Sequence, residues 1–92
     1  MGTFTSSTSD TTKITLGFNP KTLIVFGAHA SGGSQLFVHR YENGSCYRHT
    51  GASVSNVSLP STGINTIASI DSDGFTFNKT SNAGTLYYYA IN

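Results

Sequence analysis

Residues 22–29 read Thr-Leu-Ile-Val-Phe-Gly-Ala-His, the one stretch in which apolar side chains follow one another without alternating. Successive side chains of a strand point to opposite faces, so a run of this kind needs cover on both. The run is too short for an ordinary buried helix, it is rich in β-branched and aromatic residues, and Asn19-Pro20 precedes it. These features mark a central strand, with the rest of the chain expected to cover it.

The flanking segments carry the punctuation of an all-β chain. Thr3-Phe4-Thr5 alternates within a Ser/Thr-rich opening, residues 1–11, which reads as an edge strand or as an inter-subunit arm attached through Phe4. Lys13-Ile14-Thr15-Leu16 alternates in turn, and Gly17-Phe18-Asn19-Pro20 leads into the central strand. Residues 30–34, Ala-Ser-Gly-Gly-Ser, read as a loop. Residues 35–50 form the clearest hairpin, around Glu42-Asn43-Gly44-Ser45, because Asn-Gly as a two-residue loop supplies the positive φ angles of a type I′ turn. That register sets Tyr41 opposite Cys46, Arg40 opposite Tyr47, His39 opposite Arg48 and Val38 opposite His49.

Residues 51–62 are Ser-rich and contain Pro60, which cannot donate to a ladder, so a long loop or an irregular edge strand is expected there. Residues 64–70 read as the next strand. In the turn Asp71-Ser72-Asp73-Gly74 that follows, Asp71 is expected to bond the backbone two residues on and Gly74 to be left-handed. Phe75-Thr76-Phe77 places both rings on the core face, and Ser81-Asn82-Ala83-Gly84 is the last turn. Residues 85–91 close the chain as a strand that is apolar on both faces, and its place is beside the central one, covered twice. No window shows the helical period. The expected fold is all-β, an antiparallel sandwich of about six to eight short strands in a single domain, 1–92.

Ninety-two residues bury roughly 60 to 65% of the unfolded surface, a modest core that assembly would supplement. Charged residues make up 10% of the chain, where about 25% is usual, so the surface is built from Ser, Thr, Asn and Gly. Such a surface suits a protein covered by neighbours or acting outside the cell. A net charge of +1 with no basic stripe argues against a nucleic-acid partner. No apolar run approaches the roughly 20 residues of a membrane span, and no cationic and apolar leader is visible, so an extracellular role implies another exit, such as release inside a particle by lysis. The single Cys46 forms no internal disulfide and reads as a small buried hydrophobe.

No cofactor and no catalytic group are expected. His29, His39 and His49 lie ten apart with no ligand at metal spacing, which favours ordinary polar roles and leaves open only a site shared by copies on a three-fold axis. No serine sits in a nucleophile elbow, and Gly32-Gly33-Ser34 follows a strand without opening a helix, so it is no phosphate cradle. Asp71 and Asp73 fit turn chemistry better than catalysis. The hairpin concentrates Arg40, Tyr41, Tyr47, Arg48 and His49, and Arg and Tyr are enriched at recognition surfaces; it is the expected partner-binding element, against the alternative of a solvated edge.

Two segments also carry a resemblance. Gly2-Thr3-Phe4-Thr5 with Ile14-Thr15-Leu16-Gly17-Phe18-Asn19-Pro20-Lys21, and Ile70-Asp71-Ser72-Asp73-Gly74-Phe75-Thr76 with Asn82-Ala83-Gly84-Thr85-Leu86-Tyr87-Tyr88-Tyr89-Ala90, resemble the openings and endings of small tailed-bacteriophage virion proteins of the tail-fibre and accessory head types. The same pattern is similar to H-type lectins, which are trimeric six-stranded sandwiches. The resemblance leaves out residues 30–60 and carries over no sugar-binding residue. It implies a non-enzymatic capsid decoration protein located in the virion, a homo-trimer whose partners are other capsid or tail proteins. The alternative it implies is a tail-fibre module that binds a host surface glycan.

Overall fold

The computed structural model describes residues 1–28, 35–50 and 53–92. Among these the chain is all-β, with nine strands: β1 (Gly2–Thr5), β2 (Thr12–Thr15), β3 (Thr22–Ala28), β4 (Gln35–Arg40), β5 (Cys46–Thr50), β6 (Ser53–Asn56), β7 (Ile67–Asp71), β8 (Gly74–Phe77) and β9 (Thr85–Ile91). They form two antiparallel sheets, one of six strands in the order β1-β9-β3-β4-β5-β6 and one of three in the order β2-β8-β7. The sandwich expected from the turn spacing is present, with one strand more than the upper bound.

The described part of the run at 22–29, residues 22–28, does lie centrally, as β3 between β9 and β4. Its odd positions Leu23 and Val25 face the core, where Leu36 and Val38 of β4 and Leu86 of β9 join them at 0 to 1% exposure. The small sheet closes this core with Ile14, Ile67, Phe75 and Phe77, so the two phenylalanines take the inward places that alternation assigns them. Phe4 turns inward as well. Its ring centroid lies 5.5 Å from that of Phe77 and 6.0 Å from that of Phe75, and β1 pairs with β9 as an edge strand of the domain itself. The outcome at residues 1–11 is therefore the strand and not the arm, and the ring expected to attach the arm elsewhere is spent on the core. Cys46 is fully buried, and that burial pushes its thiol up to about 11, where it stays protonated at neutral pH.

Four local expectations change. The hairpin loop is Glu42-Asn43-Gly44 and not Asn43-Gly44: the Gly44 amide donates to the Tyr41 carbonyl at 3.0 Å, the Tyr41 amide donates to Ser45 at 2.7 Å, and Gly44 alone is left-handed at φ 96°. A type I turn followed by a left-handed glycine uses one residue more than the type I′ turn and moves every partner by one. Arg40 consequently stands opposite Cys46, His39 opposite Tyr47, Val38 opposite Arg48 and Phe37 opposite His49.

In the loop between β7 and β8, Gly74 is not left-handed; it pairs with Asp71 and lies where a Cβ would run into the Ile14 carbonyl. The Asp71 carboxylate accepts from Lys13, Ser69 and Thr76, and no bond from it to the backbone two residues on is formed. The strand expected over 64–70 begins at Ile67, because Asn65 takes a left-handed φ of 60°, bonds Ser81 through its side chain and interrupts extension. The Ser-rich stretch does yield an exposed edge strand, β6, and Pro60 lies beyond it after a cis bond. The loop expected at 30–34 and His29 lie outside the described residues.

Candidate functional site

The even positions of β3, Ile24 and Phe26, point away from the core, and the second sheet does not reach them. Side chains on that outer face fall into rows set by the strand register. One row runs Tyr87, Phe26, Phe37, His49, Val54 across five strands. The next runs Tyr89, Ile24, His39, Tyr47, Asn56. Ile91 and Tyr41 extend the face beyond the second row. Phe37, Tyr41, Val54, Tyr87, Tyr89 and Ile91 are between 38 and 59% exposed, so most of the large apolar side chains the fold leaves in water lie here.

Ring contacts knit the face together. His39 stacks on Tyr41 with centroids 3.9 Å apart, Phe26 stacks on Tyr87 at 5.6 Å, and Phe37 meets His49 edge-on at 5.3 Å. The Phe26–Tyr87 and Phe37–His49 separations are those of favourable aromatic pairs, which hold the rings in place before any partner arrives. Desolvation of its ring, and secondarily the neighbouring His49, lower the pKa of His39 below the usual 6.5. No Asp, Glu, Lys or Arg occupies an outward position among the described residues of these six strands.

The opposite surface of the molecule is built differently. On the small sheet Lys13 bridges Asp71 at 2.6 Å and Asp73 at 2.8 Å, and the hydroxyls of Ser69 and Thr76 donate to Asp71. The hydrogen bonds to Asp71 and Asp73 raise the pKa of Lys13, and Lys13 in turn lowers those of both carboxyl groups. One outer face is therefore polar and charged, while the other is aromatic and uncharged.

The five hairpin residues expected to bind a partner divide between two sides. Tyr41, Tyr47 and His49 belong to the outer aromatic face. Arg40 and Arg48 share the inward side of the same strands with Val38 and Cys46, and their guanidinium groups donate to backbone carbonyls, Arg40 to Lys21 at 2.5 Å and Arg48 to Ile64 at 3.0 Å. They tie the rim of the sheet to the loops beside it. The one-residue change of register causes this division, since side chains alternate with period two. Sequence reasoning missed Phe26 and Phe37 as surface residues. Their signal is the lack of alternation over residues 22–28 and 36–38, which raises the expectation of cover from within the chain.

Among the described residues no pocket opens, and no group of three or more His, Cys, Asp or Glu gathers as metal ligands. The arrangement offers a broad, preformed contact surface. Neither a protein-family model nor a curated protein or solved structure matches the chain.

Proposed function

We propose that this chain is a non-enzymatic structural protein of a bacteriophage virion, an accessory component of the decoration type that works as a symmetric oligomer. The virion setting rests on the resemblance of the opening and closing segments. The observation that carries the assembly role is the uncharged aromatic face of the large sheet, where exposed rings fill a surface that a solitary antiparallel sheet normally gives to polar side chains. Aromatic enrichment with depletion of charge is the composition of interface cores. Particles banded by density from a phage encoding the chain should contain it in stoichiometric amount by mass spectrometry. Its absence from washed particles would end this reading.

A second reading has its own support. Exposed, stacked rings such as His39 on Tyr41 present flat apolar faces of the kind that pack on sugar rings, which would suit a carbohydrate-binding module of a tail fibre. Saturable binding of the monomeric protein to host glycans, with particle assembly intact after the gene is deleted, would favour it.

A further inference from the structure

We propose that the outer face of the six-stranded sheet is closed by the same face of another copy of this chain. The proposal rests on the reading of the protein as an assembling structural component, and it names the surface that the copies share.

Strands β3 and β9 have the side-chain pattern of strands buried on both sides, yet the small sheet covers only one side of each. Among the described residues nothing supplies the missing layer. Three properties of the face identify it. A face that meets its own copy doubles any charge it carries, and this one carries none among the described residues at neutral His, so self-contact brings no like-charge repulsion. A charged partner, by contrast, would find nothing to pair with here, because the fold places its ion pairs on the opposite surface.

The area also suffices. Six strands at about 4.8 Å spacing and roughly 20 Å in length give a face near 500 Å², so two copies enclose roughly 1,000 Å², the lower bound for a specific interface. Finally, two sheets packed face to face are an ordinary way of making an apolar layer, and rings already held in aromatic pairs lose little freedom on contact.

The test uses the complete chain with Phe37→Lys and Tyr89→Lys, at positions 38 and 48% exposed where the long side chain can reach water without disturbing the core. Sedimentation equilibrium at micromolar concentration should give twice 9.7 kDa, or an even multiple of it, for the parent. Each Lys variant should weaken self-association by about 30-fold or more, the loss typical of a disrupted interface anchor, with an unchanged circular dichroism spectrum.

A monomeric parent whose Lys variants fall off the virion overturns the self-contact and leaves the virion role standing. An oligomer indifferent to both Lys substitutions also overturns it. Self-association that the Lys variants lose, in a protein absent from virions, supports the self-contact and removes the virion role instead. Glycan binding by a monomeric parent, abolished by the same substitutions, overturns the self-contact in favour of sugar stacking.

Discussion

Gly74 shows how a residue can be identified from the sequence for a reason that differs from its physical one. A glycine closing Asp71-Ser72-Asp73 is expected to supply a left-handed φ, whereas its value lies in the space a Cβ would take from the Ile14 carbonyl on β2. Substitution by Ala is therefore already harmful and by Val more so. Overpacking of this kind costs about 1–3 kcal/mol, which should lower the thermal midpoint of Gly74→Ala by roughly 5–20 °C. His39 yields a prediction in pH. With its folded pKa below 6.5, the unfolded chain binds the proton more readily, so stability is full above 6.5 and is lost as pH falls toward the folded value. The thermal midpoint should be lower at about pH 5.5 than at about pH 7.5, and His39→Phe should reduce that difference; an equal difference in the variant would show that other groups carry it.

At the scale of the element, the hairpin was visible in Asn43-Gly44, but its loop length was not. Both loop types accept Asn-Gly, and the choice between them decides which faces Arg40 and Tyr47 share. In the observed loop Gly44 sits at φ 96° with open space where a Cβ would go, so Gly44→Ala strains only the backbone and should cost about 1 kcal/mol in urea unfolding. The small sheet supplies an acid-dependent contribution. The hydrogen bond from Lys13, with those from Thr76 and Ser69, lowers the Asp71 pKa below 3.8, so its stabilisation is present above that pH and disappears as pH falls through the folded value. Asp71→Asn should leave a flatter stability profile below about pH 4 than the parent, measured by urea unfolding across that range. Identical profiles would mean that the carboxylate adds nothing to folding.

For the whole molecule, the decisive property is the difference between its two outer surfaces. An oligomer that buries the aromatic face is stabilised by mass action, so the parent's thermal midpoint should climb with protein concentration while that of Phe37→Lys stays constant. A concentration-independent parent would match a monomer with a bare face. Alternation and turn residues are local properties of the chain, and they were enough to read an all-β fold, neighbouring central strands at 22–28 and 85–91, and an interior that holds Phe75, Phe77 and Cys46. The sequence also carried the demand for cover on both sides of the central strands. The hairpin register, the inward use of Phe4, the close approach at Gly74 and the side on which cover is missing emerge only in the folded chain. Each of these depends on which remote segments meet, and a strand's pattern of side chains records that a face is buried without recording what buries it.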